Sequence, residues 1–292
     1  MNSWTFALNL VVNGVVEGLV IGLAALALNL VFAVGRFPNA ATGDFMTFGA
    51  YAGYGAQQLG AHHAALQALA SVAACMALSV ACYLAVFRQL VGRPMVAALL
   101  ASIGVGFFCR SMLSLFVGHD PQFFKMGAVS AVSLGTLRLQ TTDLWLAAVA
   151  LACVGAVLAL LHLTPIGRQM RAVADNAALA RASGIRSRRV MLALWAVVGA
   201  VCGIAGLVLG IRTAVSPELG WGLLLPAFAA AVLGGVGSAG GAVLAGVALG
   251  VAQELSTPWL GFSYKIALSF VVLALMLWLR PHGLFGRPEA VR

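Results

Sequence analysis

Six arginines lie within the stretch TPIGRQMRAVADNAALARASGIRSRRV, Thr164 to Val190, out of 17 Lys and Arg in the whole chain. Guanidinium groups at this density bind an anionic surface or acidic groups on another protein, and the residues between them decide which. Thr164 followed by Pro165 is a helix start: the hydroxyl caps free N–H groups, and proline has no N–H to lose at the first helical position. Asn176 starts a second helix, and Ala177 to Ser183 is alanine-rich and helix-favouring. Gly184 stops it, because glycine takes the left-handed backbone that closes a helix. The spacing predicts two short helices meeting near Asp175 and Asn176, with Leu179 on a face of small alanines beside Arg181. Such a helix fits a groove on a partner protein, with the leucine as anchor. A basic loop that only marks one side of a membrane needs no such caps, so docking is the better reading.

Few other residues are placed for chemistry. Thr42-Gly43-Asp44 resembles the G-x-G-D of membrane aspartyl proteases, but position 41 is Ala and no Y-D partner segment exists. Ser238, in GVGSAG, would need a base within hydrogen-bond reach to act as a nucleophile. The five histidines, His62, His63, His119, His162 and His282, fall in loops or at segment ends. Five cysteines, Cys75, Cys82, Cys109, Cys153 and Cys202, sit in or beside apolar segments without a C-x-x-C, and read as small core residues. No G-x-x-x-x-G-K-[ST] is present, so the chain has no P-loop of its own. These patterns argue against an enzyme.

The elements that carry these residues are membrane helices. The chain is 62% hydrophobic and 9% charged, with a mean hydropathy of +1.02, far from soluble usage. Apolar segments fall at 10–34, 44–60, 64–87, 95–117, 143–163, 190–211, 222–252 and 262–280. They do not alternate as barrel strands would, so the fold class is all-α polytopic with about eight segments. The start, MNSWTFALNL, lacks a basic n-region and a nearby cleavage site, so no removable signal peptide is expected. A net charge of +9 is explained by the positive-inside rule, without nucleic acid. That rule puts Arg88 and Arg93, the arginines of 164–190, and Arg280, Arg287 and Arg292 in the cytoplasm. The weakly basic connection 118–142 belongs outside, as does the N-terminus, and Arg36 inside.

Two segments are interrupted. GRFPNAATGDF, Gly35 to Phe45, contains Pro38 and Gly43. LGGVGSAGGAVLAG carries Gly234, Gly235, Gly237, Gly240 and Gly241, each costing about 1 kcal/mol in a helix interior. Eight full crossings would leave the basic tail outside, so the second interruption is read as a re-entrant pair of half-helices entering from the outer side, with a continuous crossing and an external tail as the rival topology. Broken backbone at such depth must line a watery path or be buried in protein, and matched breaks in two halves point to a substrate route. Asn39, Thr42, Gly43, Asp44, Gly234, Gly235, Gly237, Ser238, Gly240 and Gly241 are the candidate path residues. Asp44 doubles as a helix-start carboxylate favoured by the dipole, while Arg110 and Glu254 are expected to snorkel to the surface. Glycines spaced by four (Gly14, Gly18 and Gly22; Gly199 and Gly203; Gly206 and Gly210; Gly246 and Gly250) predict close helix packing.

These motifs together resemble the branched-chain amino acid (Leu/Ile/Val) permease family of ABC importers. The basic stretch is similar to that family's coupling loop, T-x-x-G-R-x-x-R-A-x-x-x-N-x-x-x-A-x-x-x-G-I, supplied here by Thr164, Gly167, Arg168, Arg171, Ala172, Asn176, Ala180, Gly184 and Ile185. VGRPMVAALLASIGVG (91–106), the glycine-rich 227–255 and LRPHGLFG (279–286) also resemble family segments, so the likeness covers nearly the whole chain. It departs after the first long helix. Where the family carries something like N-F-A-H-G-D/E-F, this chain reads Asn39-Ala40-Ala41-Thr42-Gly43-Asp44-Phe45, without the Phe and His. The resemblance implies a bacterial inner-membrane subunit that binds no cofactor itself. It further implies cytoplasmic ATPases carrying ATP and Mg, a second permease subunit (a similar chain or a second copy) and an extracytoplasmic solute-binding protein. A secondary transporter or channel is the alternative; it would expect buried coupling carboxylates and leaves the capped loop unexplained.

Overall fold

The helices follow the apolar pattern, and glycine decides which of them touch. In the computed structural model, residues 3–61, 63–125, 131–134, 137–280 and 283–286 are described; Arg287 and Arg292 of the tail, with His62 and His282, lie outside them. Helix α1 (Ser3–Leu30) runs on through a π-helical turn, Val31–Gly35, and then breaks. The chain resumes as α2 (Thr42–Gln58), α3 (Ala64–Ala85) and α4 (Met95–Val117). A short antiparallel hairpin follows, β1 (Ala131–Leu134) and β2 (Leu137–Gln140), with Ala131 opposite Gln140. Then come α5 (Thr141–Leu163), the loop helices α6 (Pro165–Asp175) and α7 (Ala177–Ala182), and α8 (Ser187–Arg212). The chain closes with α9 (Leu219–Gly234), α10 (Ala239–Leu260) and α11 (Lys265–Leu279). Among the described residues, six helices are long and apolar enough to cross a membrane. The chain is a multi-pass membrane protein.

The expected small-residue seams are real contacts. A Cβ at Gly14 would stand 2.6 Å from the Val251 Cα, and one at Gly18 2.6 Å from the Val247 Cα. Gly246 and Gly250 meet Gly22 and Gly18 in return, so α1 and α10 lie backbone to backbone. Gly199 and Gly203 seat α3 on α8 in the same way, and Gly206 seats α2 on α8. Lipid chains are as apolar as leucine, so helices in a membrane gain little from burying leucine and associate through close packing. At one end of this core Trp195 is fully buried, stacked 4.6 Å from the Phe87 ring and 5.9 Å from that of Tyr83. Phe37, from the first break, stacks on Phe87 at 5.4 Å. That cluster ties the break to α3 and α8.

The first interruption is where the sequence places it. The second is not a re-entrant pair from the outer side. Its arms are helices of 16 and 22 residues, about 24 and 33 Å long at 1.5 Å per residue. Their turn sits beside Asn29, whose side chain donates to the Gly235 carbonyl at 2.9 Å and accepts from the Gly237 N–H at 2.7 Å. Asn29 lies near the C-terminal end of α1, which is the end bearing Arg36 and the basic loop. The hairpin thus turns at the loop end. Counting α9 and α10 separately, nine helices of 15 residues or more are described (α1–α5 and α8–α11). An odd number returns the tail to the loop end without a re-entrant segment. There, Leu284 and Phe285 donate backbone N–H groups to Leu233 and Gly234.

Candidate functional site: a capped docking loop and a broken-helix ion pair

The basic loop folds as its caps require. Thr164 Oγ1 accepts from the Gly167 N–H at 3.1 Å, and Asn176 Oδ1 accepts from Ala178 and Leu179, each at 3.0 Å. Gly167 is pressed so closely on the Leu160 and Leu161 carbonyls that no side chain fits. At the far end of α7, Gly184 is left-handed (φ 82°). Its N–H bonds the Arg181 carbonyl at 3.0 Å and that of Ile185 bonds Ala180, also at 3.0 Å. This double closure satisfies the last carbonyls of a six-residue helix.

The inner faces of the two helices are held by Met170, Val173 and Ala180, all buried, with Ala172 and Ile185 packed against the same core. The outer faces are largely exposed. Arg168, Arg171, Asp175 and Asn176 are exposed, and Leu179 is 64% exposed between them and Arg181. The leucine thus stands outside a capped helix whose other face is buried.

The second constellation forms at the first break. Arg36 takes a left-handed backbone (φ 63°), and the chain stays non-helical to Ala41. Within the break the groups bond one another. Asn39 is fully buried; its Oδ1 accepts from the Ala41 N–H at 3.2 Å, and its carbonyl accepts from the Thr42 hydroxyl at 2.8 Å. The Ala40 N–H donates to Ser102 of α4 at 2.9 Å. Gly43 lies against Gly220 at the start of α9, where Thr47 accepts the Gly220 N–H at 2.9 Å.

Asp44 faces α4. Its carboxylate, 2% exposed, meets Arg110, whose Nε and Nη2 converge on Oδ1 at 2.9 and 2.8 Å. Gly106 leaves the room for this, since a Cβ there would strike Asp44 Oδ2. The guanidinium carbon lies 4.5 Å from the Trp221 ring centroid and 5.3 Å from that of Phe107.

Two expectations about charges are thereby corrected. Arg110 does not snorkel away: it is paired to Asp44 across 66 residues of sequence. Glu254 does not reach the surface either, but accepts from Lys265 at 2.6 Å, beside Glu17 at 3.2 Å. Asp44 does lie in the first turn of α2, as expected of a helix-start carboxylate, and it is charge-paired with Arg110 as well. The signal that could have found the pair was the cost of each charge alone in an apolar helix. Two opposite charges in neighbouring apolar helices lower that cost by meeting.

The structure gathers Asn39, Thr42, Gly43 and Asp44 in one place, and puts Gly234, Gly235, Gly237, Ser238, Gly240 and Gly241 in another. Those six form the α9–α10 turn. Gly234 abuts Gly241, Gly240 faces open space, and Ser238 caps α10 by accepting the Gly241 N–H at 3.2 Å.

Comparison with known proteins follows the same lines. The family model described as "Branched-chain amino acid transport system / permease component" matches residues 10–279. The high-affinity branched-chain amino acid transport system permease protein LivH of Salmonella typhimurium is 32% identical over 212 residues, 70% of this chain and 68% of that protein. The corresponding BraD of Pseudomonas aeruginosa is 27% identical over 295 residues, covering 95% of each chain. A shorter likeness, 44% over 79 residues, joins it to the xylose transport system permease protein XylH of Escherichia coli, over 27% of this chain and 20% of that one. Among solved structures, PsaBC from Streptococcus pneumoniae in complex with Fab superposes with a TM-score of 0.50 at 13% identity, covering 92% and 91% of the two chains, which speaks to the fold alone. The chain belongs to the branched-chain amino acid transport system permease family.

Proposed function

We propose that this chain is the membrane subunit of an ATP-driven ABC importer for branched-chain amino acids or a related small amino acid or amide. It forms part of the path and carries no ATP site. ATP and Mg are handled by cytoplasmic ATPases that dock on residues 164–190. A second permease subunit and an external solute-binding protein complete the machine, in a bacterial inner membrane with the N-terminus outside and the basic loop and tail in the cytoplasm.

The observation that carries this reading is the loop itself: two helices capped at both ends, pinned inward by Met170 and Val173 and presenting Leu179 among arginines. A rigid surface transmits displacement, whereas an unstructured basic loop would absorb it. ATP-driven closure of the ATPases would move the loop and tilt the attached helices, alternating access between the two sides. Carboxylates inside the bundle are each held by a cation (Asp44 by Arg110, Glu17 and Glu254 by Lys265), which favours positioning over the proton carriage of a secondary transporter. Family membership supports the amino acid cargo; the partial likeness to a xylose permease keeps the cargo test necessary.

The test is co-purification in mild detergent from the native host. P-loop ATPases and a second apolar subunit should be recovered, and deletion of residues 176–184 should release the ATPase. Arg171→Glu and Gly184→Pro should abolish uptake into vesicles while leaving the protein in the membrane. A chain that purifies alone yet moves solute in liposomes would overturn the reading.

A further inference from the structure

Arg110 faces two ways. Behind it stands Asp44, buried at the head of α2. In front of it opens a cleft of about 800 Å³, lined also by Ser114 of α4, by His119 just beyond that helix, and by Ser216 and Glu218 ahead of α9. The cleft lies at the end of α8 away from the basic loop. Asp44 binds the guanidinium through Oδ1 alone. Nη2 is buried against Asp44, with the charge contact but no aligned hydrogen bond, so it is the rest of the guanidinium that meets the cleft. An arginine has five N–H donors, so one carboxylate oxygen leaves several unanswered. The flanking rings of Phe107 and Trp221, 51% and 43% exposed, keep the guanidinium plane from turning aside and favour the cation. An arginine pre-aligned by an acid, edged by aromatic faces and opened to a cleft where Ser114, Ser216 and Glu218 supply polar groups is built to receive a planar anion of carboxylate type.

We propose that Arg110 recognises the carboxylate of the passing solute, Asp44 being a positioning residue that holds the guanidinium from behind, and Glu218 on the same cleft favouring a zwitterion over a simple anion. This rests on the permease reading above and narrows it to cargo bearing a carboxylate. Asp44 tempers the charge of Arg110, so that the solute is held and then released rather than trapped.

The experiment uses the assembled complex in proteoliposomes, with ATP inside and saturating binding protein outside, and follows labelled leucine. Arg110→Gln should lower uptake about tenfold or more, as loss of a charge-assisted contact requires, while Arg110→Lys keeps part of it. The deciding variant is the double replacement Asp44→Asn with Arg110→Gln, which preserves a neutral pair. A merely structural ion pair would be rescued by this swap; carboxylate recognition would not. Restored leucine uptake in the double variant, or full uptake in Arg110→Gln, overturns the proposal. Transport of xylose but not leucine by the unaltered complex also overturns it, leaving the permease reading intact. If no ATPase co-purifies with the unaltered chain, the permease reading fails and takes this inference with it. Should Arg110→Gln not reach the membrane, Arg110→Lys and the double variant decide between the same outcomes.

Discussion

The guanidinium of Arg36 donates to the carbonyl of Ala174, 138 positions along the chain. It reaches the Asp175 carbonyl as well, at 3.4 Å. These are the free carbonyls at the end of α6, where the helix dipole favours a cation. Arg36 is also the first residue of the break that leads to Asn39 and Asp44. One side chain therefore joins the docking loop to the segment that holds the buried ion pair. Its backbone is left-handed, which costs a non-glycine residue about 1–2 kcal/mol. The contact is maintained against that cost.

Arg36→Gly separates the two effects. Glycine accepts the left-handed backbone freely, so the relief offsets the lost hydrogen bonds and the melting temperature in detergent should change little. Uptake should nevertheless fall about fivefold or more if loop and break are coupled at ordinary strengths. Vesicle uptake and ATPase co-purification, measured together, check this. Unchanged uptake would mean that motion of the loop reaches the path by another route.

Asn176→Ala removes the cap shared by two N–H groups of α7. The expected cost is about 1 kcal/mol, small for the whole protein but large for a helix of six residues. Retention of the ATPase during purification should drop while the thermal unfolding of the bundle stays the same. Asn176→Asp, which keeps the acceptor, should restore binding; failure to do so would assign Asn176 a direct contact instead of a cap.

Much of this molecule was legible in sequence because the membrane restricts the choices. Helices are written in apolar length, and the loop's caps in Thr164, Asn176 and Gly184, since these act within four residues of themselves. The Asp44–Arg110 pair acts across 66 positions, and no local rule names the partner. The re-entrant reading of 222–252 failed for a related reason. Glycines at Gly234 and Gly241 can loosen a helix or let two helices touch, and only the neighbour Asn29 distinguishes a turn at the loop end from a break in mid-membrane.

The same ambiguity gives a prediction about two glycines that sit in apolar helices alike but meet different neighbours. Gly18→Val would drive its side chain into Val247 of α10, whose Cα stands 2.6 Å from the position of a Cβ. Overpacking of this kind costs about 1–3 kcal/mol, more when backbone must move, so the variant should melt lower and accumulate less. Gly240→Ala meets no atom within 4 Å and gains helix propensity of about 1 kcal/mol. It should be neutral or stabilising, and should transport normally. Loss of transport with full stability in Gly240→Ala would favour the glycine turn as part of the substrate route.

Lys265 offers the sharpest test of the charged interior. It bridges Glu254 at 2.6 Å and Glu17 at 3.2 Å, fastening the start of α11 to α10 and α1. Next to it, Gln253 donates to the Ser269 hydroxyl at 2.6 Å. Lys265→Met leaves two carboxylates facing each other without a cation. Removal of one partner from a fully buried pair costs about 3–5 kcal/mol. The Glu17 side chain here is 30% exposed, so water screens part of the penalty and about 2 kcal/mol is the better expectation. The triple variant, Lys265→Met with Glu17→Gln and Glu254→Gln, removes the charges together and should recover most of the lost melting temperature. If the triple variant is stable but no longer transports, the cluster does more than fasten helices. If Lys265→Met alone melts like the unaltered protein, the bridge contributes nothing and α11 is held by its packing against α9.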